Sequence, residues 1–265
     1  MAGGAGASYP APMLGVGIVT YNRGDVLLGT VERVLRHTRA PFRLVVADDG
    51  STDGTVEGVR DLRIPVITGR NAGVAWNKNR ALFALRGCDP ILLLEDDARP
   101  TAPGWEAPLI EGARRWGHVN VAGDWFAHSF VSGGGTPDDP ILSRETSGQC
   151  SAFSAEALSW VGYLDTRFKG YGFEHIEHTL RFLRLGYGGV QRDLDGVPTW
   201  LFLLIRAPVE VLPGASSGNP EQAERNLALC RELFAEPTYR PAWRDDDELA
   251  RLRAEIAGAA LQSVP

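Results

Sequence analysis

The feature that most limits the fold is an alternation: four times in roughly the first 115 residues a short apolar run is followed by a helical pattern. LGVGIVTYN (14–22) is a β-branched, buried strand, and behind it Leu27, Leu28, Val31, Val34 and Leu35 recur at helical spacing. FRLVVADDGS follows as a second strand, and STDGTVEGV opens a short helix with Ser51 or Thr52 expected at its N-cap. IPVITG with a helix over 74–85, and PILLLEDD with a helix over 105–116, complete the series. Strands alternating with helices at this spacing pair in parallel through right-handed crossovers. The expectation is an α/β fold with a doubly wound, mainly parallel sheet flanked by helices.

The remainder is less regular. VNVAGDWF reads as a strand, SGGGTPDD (132–139) as a mobile loop, and helices are expected from Ser154 and over Glu174–Leu185. Residues 198–212 are strand-like with an interruption at Pro208, while 220–235 and 245–260 read as helices with charged faces. Residues 1–12, small and rich in Gly, Ala and Pro, are expected to be disordered. One domain spans 13–235, with 13–100 as its first half and 101–235 as its second, and 236–265 form a helical extension.

Open parallel sheets bind ligands outside the carboxyl ends of their strands. There the first strand ends in Thr20-Tyr21-Asn22, the second in Asp48-Asp49-Gly50-Ser51 and the fourth in Glu95-Asp96-Asp97, so three polar clusters converge on one rim. Three adjacent acids repel and resist desolvation, so they either face water as an acidic turn or share a cation. A net charge of −6 excludes nucleic acid as a bulk partner. No apolar run reaches the ~20 residues of a transmembrane helix. The three cysteines (88, 150, 230) have no CxxC spacing and are expected as reduced, buried thiols of a cytoplasmic protein. A carboxylate rim beside an aromatic ring suits a nucleotide whose diphosphate is carried by Mg²⁺ or Mn²⁺.

At this point the motifs resemble those of glycosyltransferase family 2, nucleotide-sugar enzymes of GT-A fold. The resemblance runs over about residues 14–190. It is carried by the segment from IVTYN to DDGSTDGT, by RNAGVAWNKNRAL, by LLLEDDARP at the metal-motif position, and by VGYLDTRFKGYGFEHIEHTLRFLRLGY. It implies that Thr20, Tyr21 and Asn22 meet the nucleotide and that Asp49 accepts a hydrogen bond from the base, favouring UDP. Lys78 would lie near the ribose or diphosphate, and Asp96 beside the ribose. Asp97 would bind the metal together with Glu95, and His178 as a third ligand. Asp48 is expected to be structural. The family's Glu-Asp pair appears here as Glu174-His175. An imidazole with a pKa of about 6.5 is chemically suited to be the base, so the base is His175 or Glu174. On a helix, Glu174 and His178 would share a face opposite the stripe of Phe173, Ile176, Leu180 and Leu183.

The resemblance therefore implies a metal-dependent, inverting transfer of sugar from a nucleotide-sugar donor to a carbohydrate, lipid-linked or small-molecule acceptor. Glu95 and His175, each standing where aspartate is usual, keep open a catalytically inactive sugar-nucleotide binder. A carboxylate–histidine metal hydrolase site would need a second comparable helix, and a dinucleotide fold would need its glycines after the first strand. Neither condition is met.

Overall fold

The computed structural model describes residues 13–213, 219–238 and 243–257. The disordered start expected at 1–12 lies outside them. Four parallel strands form the first half of the sheet: β1 (Leu14–Thr20), β2 (Phe42–Asp48), β3 (Val66–Thr68) and β4 (Ile91–Glu95), in the order β3-β2-β1-β4. They are linked by α1 (Gly24–His37), α2 (Thr55–Asp61) and α3 (Val74–Ala84). Both faces of these strands are covered, which is why their sequences are near-continuous apolar runs. In β4, Leu92 and Leu94 pack toward α1 while Ile91 and Leu93 pack toward α3. β1 meets α3 through glycine: a Cβ at Gly17 would lie 2.9 Å from that of Ala81. The α2 cap differs from expectation. The helix starts at Thr55 with Gly54 in the left-handed region before it, and Asp53, one residue earlier, accepts from the Thr55 N–H.

Past β4 the chain makes β5 (Ala98–Pro100), α4 (Ala107–Trp116), β6 (His118–Val121), a 3₁₀ turn (Asp124–Ser129), β7 (Phe130–Ser132), β8 (Ile141–Ser143) and β9 (Cys150–Phe153). Then come α5 (Ala155–Val161), α6 (Glu174–Arg184), β10 (Gly189–Leu194), β11 (Val197–Ile205), β12 (Val209–Val211), α7 (Pro220–Phe234) and α8 (Asp246–Ala257). The sheet continues β4-β9-β6-β11-β8-β7, and β9 runs antiparallel to both its neighbours. The expected strand at 119–126 thus ends at Val121, where the 3₁₀ turn takes over. The 132–139 loop is a closed turn, with the Gly134, Gly135 and Thr136 N–H groups all on the Asp139 carbonyl. β12 leaves the main sheet to pair with β5. All three cysteines are free and buried, and no helix of the described residues is long and apolar enough to cross a membrane.

Helix α6 is turned differently from expectation. Glu174, Glu177, His178 and Arg181 are buried, whereas Ile176 and Leu180 are only partly so. The polar face can be buried because it is paired: Glu177 with Arg181 at 2.9 Å, Arg181 with the Val161 and Tyr163 carbonyls, and His178 with the Gly162 carbonyl.

Candidate active site

The carboxyl ends of β1, β2 and β4 open onto a cavity of about 490 Å³, the size of a small-molecule site. Thr20, Tyr21, Asp49, Glu95, Asp96 and Asp97 line it, so the three strand-end clusters do meet. Tyr21 (47 % exposed) and Tyr171 (50 %) stand on its wall with ring surface free for a planar or sugar ligand.

Turning from β4 into the Glu95–Asp97 corner places the acids in different company. Glu95 receives Lys78 Nζ at 2.9 Å. Asp96 accepts from the Thr20 hydroxyl at 2.7 Å, and Arg23 reaches both Asp96 (2.7 Å) and Asp97 (3.1 Å). Burial pushes the Asp96 carboxyl up to about 6 and that of Asp97 up as well, despite Arg23. Asp97 Oδ1 is buried with no hydrogen-bond partner among the described residues, a costly state for a carboxylate oxygen. No cluster of three His, Cys, Asp or Glu side chains forms a metal cage among the described residues. The set nonetheless fits a hard cation held by one or two carboxylates and completed by phosphate oxygens, with Asp97 Oδ1 as the free ligand atom.

Asp49 is held rigidly at the other side of the cavity. Its carboxylate accepts from the Ala72 and Gly73 N–H groups at 3.0 and 2.9 Å and from Arg80 at 2.7 Å. Burial nonetheless raises its pKa. Four lone-pair sites and three donors leave room for one more donor from the cavity. Asp48 is structural as expected, accepting from the Gly50 N–H at 3.0 Å and from Ser51 and Thr68.

Three expected site residues sit elsewhere. Asn22, at φ 50°, turns to the β2–α2 loop, where its N–H meets Ser51 and its Oδ1 the Thr52 N–H. Lys78 is not on the cavity wall. It is buried, with Nζ on Glu95, on the Gly148 carbonyl at 3.1 Å and 3.7 Å from Glu174. Burial would lower its pKa, but the two carboxylates outweigh that and raise it. His178 cannot serve as a rim ligand. Its Nε2 is 2.9 Å from the Gly162 carbonyl, its ring packs on Phe153 and Phe182, and burial lowers its pKa far below the ordinary value.

Glu174 and His175 lie behind Glu95, joined to it by Lys78. His175 Nδ1 is 3.4 Å from Glu174 Oε1, and the His175 side chain keeps 24 % of its surface exposed, against 3 % for Glu174. Burial alone would raise Glu174, but His175 and Lys78 prevail and hold it at about 2. The loop over this pair allows no side chain: a Cβ at Gly148 would come within 2.8 Å of His175 Cβ. The geometry is that of an ionised carboxylate backing a more accessible imidazole.

Sequence reasoning missed Arg23, Asn77, Arg80, Gln149 and Tyr171. Arg23 directly follows TYN. The others on α3 had a signal: Asn77-Lys78-Asn79-Arg80 is a polar run within an otherwise apolar helix, and such a helix has to pair its polar groups. Gln149 had none.

The model of glycosyl transferase family 2 matches residues 15–179. Validoxylamine A glucosyltransferase of Streptomyces hygroscopicus subsp. limoneus is 43 % identical over 111 residues, covering 40 % of this chain and 24 % of that protein. The matched stretch thus spans about a quarter of that relative's length. The mannosyltransferase of Pyrobaculum calidifontis, solved with GDP-Man and Mn²⁺, superposes with TM-score 0.58 at 17 % identity over 94 % of this chain and 73 % of that one. Glucosyl-3-phosphoglycerate synthase of Mycobacterium tuberculosis, solved with Mn²⁺, UDP and glucosyl-3-phosphoglycerate, gives 0.57 at 15 % identity over 86 % and 81 %. These neighbours show the GT-A fold.

Proposed function

Because the chain belongs to glycosyltransferase family 2, we propose that it moves a sugar, with inversion, from a nucleotide-sugar donor to a hydroxyl of a carbohydrate or other small-molecule acceptor. UDP-sugars are the favoured donors. Tyr21 packs on the base, Asp49 accepts its N–H, and Asp96 lies beside the ribose. Asp97, assisted by Glu95, would hold Mn²⁺ or Mg²⁺. When bound, the ion supplies Lewis-acid neutralisation of the departing diphosphate. The observation that carries this reading is Asp97 Oδ1, buried and without a hydrogen-bond partner among the described residues, on the wall of a nucleotide-sized cavity. The Mn²⁺ bound in the mannosyltransferase and synthase structures supports a divalent ion.

On the acceptor side, His175 takes the proton of the attacking hydroxyl. Its Nδ1 faces Glu174 Oε1, which orients the ring and stabilises the imidazolium, leaving Nε2 to accept the proton. Glu174 is already ionised and enclosed, so it serves better as this partner than as the base.

Calorimetry of UDP with and without Mn²⁺, alongside turnover of a panel of UDP-, GDP- and dTDP-sugars, tests the reading. Wild type is expected to gain UDP affinity with Mn²⁺ and to stop turning over in EDTA. Asp97→Asn is expected to lose both the gain and measurable turnover, and Glu95→Gln to lose less. A rate unchanged by EDTA sinks the metal role. Sugar-nucleotide binding without turnover across donors and acceptors establishes the inactive binder instead.

A further inference from the structure

Helix α8 lies across α3 and is joined to the base-binding corner by a short chain of charges. Leu252 anchors it among Trp76, Phe83 and Trp243. Glu255, one turn later, receives Arg80 Nε at 2.8 Å and Trp76 Nε1 at 3.0 Å on Oε2, and Arg251 Nε at 3.0 Å on Oε1. Burial would raise Glu255, but these donors outweigh it and lower its pKa. Arg80, with no exposed side-chain surface, spans the remaining distance. Its Nη1 donates to Asp49 Oδ1 at 2.7 Å and to the Asp48 carbonyl at 3.2 Å, and its Nη2 to the Arg70 carbonyl at 2.9 Å. A guanidinium is a rigid planar fork, so fixing its Nε edge fixes the direction of both Nη groups.

We propose that Glu255 is a positioning residue for base recognition. By holding the Nε edge of Arg80 it aims Nη1 at Asp49, and so sets the orientation in which that carboxylate meets the nucleotide base. The inference rests on the reading of Asp49 given above and adds to it the C-terminal helix, which lies beyond the family-matched residues 15–179. Without Glu255 the buried guanidinium is held by Asp49, Asn77 Oδ1 and the Asp48 and Arg70 carbonyls alone, and the angle at which its Nη1 meets Asp49 beside the Ala72 and Gly73 N–H groups is no longer fixed.

The test compares UDP with CDP by calorimetry on the full chain. Uracil presents an N–H at N3, whereas cytosine presents a lone pair there that a carboxylate repels, so the UDP:CDP affinity ratio reports the aim of Asp49. Glu255→Ala is expected to weaken UDP binding about 3- to 10-fold and CDP binding much less, shrinking the ratio. Glu255→Gln, which keeps an oxygen for Arg80, is expected to retain most of it. Arg80→Lys keeps the charge but loses the fork. It is expected to shrink the ratio as Glu255→Ala does, and it replaces that variant if the alanine chain does not fold. In an Asp49→Ala background, Glu255→Ala is expected to change the ratio no further. The proposal is overturned if Asp49→Ala collapses the ratio while Glu255→Ala leaves it intact, or if Glu255→Ala weakens both nucleotides equally. An unchanged ratio in Asp49→Ala itself removes Asp49 from the base site, and the relay with it.

Discussion

The rim of the cavity and the start of α6 both gather buried acids, and they hold them in opposite ways. At the rim, burial raises Asp96 to about 6 against the Thr20 hydrogen bond and the Arg23 charge, with Asp97 and Glu95 adding to the rise. At α6 the same burial is overcome by His175 and Lys78, and Glu174 stays near 2. The rim is therefore short of positive charge, whereas the helix site is electrically closed. Environments that push two sets of carboxylates apart assign them different tasks. An open set suits a cation brought by a ligand, and a closed one suits holding a neighbour in place.

If that contrast is right, damage to the helix site should spare the donor. His175→Ala is expected to lower kcat by ~10²–10⁴ with UDP affinity unchanged. Should UDP affinity fall in step with kcat, the two regions are one site and the comparison breaks. Lys78 is the link between them, bound to Glu95 on one side and near Glu174 on the other. Lys78→Met removes the buried cation that Glu95 and Glu174 share, and a loss of about 3–5 kcal/mol in urea unfolding is expected. Adding Glu174→Gln should recover part of it, and a double variant no more stable than the single one would show that the pair is not coupled.

The smallest effect is one of pH. Burial holds His118 near 4, below its ordinary 6.5, between the Ala152 carbonyl and the Phe153 ring. A histidine depressed in the folded state contributes stability that is fully present above about 6.5 and lost as pH falls toward 4. Between pH 7 and 5 that amounts to about 2 kcal/mol. His178 acts in the same direction. Asp96, raised in the folded state, opposes them as it protonates. His118→Gln is expected to flatten the pH 7-to-5 difference in urea midpoint, and an unaltered difference would place the titrating group elsewhere.

The two regions also differ in how far the sequence exposed them. Thr20, Asp49 and Glu95–Asp97 converge because strand ends of a parallel sheet share an edge, so the backbone alone positions them. Asn22 escaped that logic through a left-handed turn that points it to the neighbouring loop. Lys78 escaped it because α3 is buried from Ala75 to Ala84 and meets its partners from other elements. On α6 the periodicity named a helix but not the face that would be buried. The decisive partners are the carbonyls of Val161, Gly162 and Tyr163, at the end of α5 and just past it, which no pattern within α6 can announce. The antiparallel entry of β9 between β4 and β6 is equally tertiary in origin.

That entry has a consequence for assembly on the ribosome. In the folded chain one edge of β4 pairs with β1, which is made before it, and the other with β9, whose residues 150–153 come later, so that second edge has no native partner until they are synthesised. For some fifty-five residues of synthesis, Ile91-Leu92-Leu93-Leu94 presents an apolar, unpaired edge, the kind of surface on which nascent chains associate. Chains stalled before residue 150 should accordingly recruit holdase chaperones that chains stalled well past it release. Equal chaperone occupancy at the two lengths would mean that something other than β9 shields that edge.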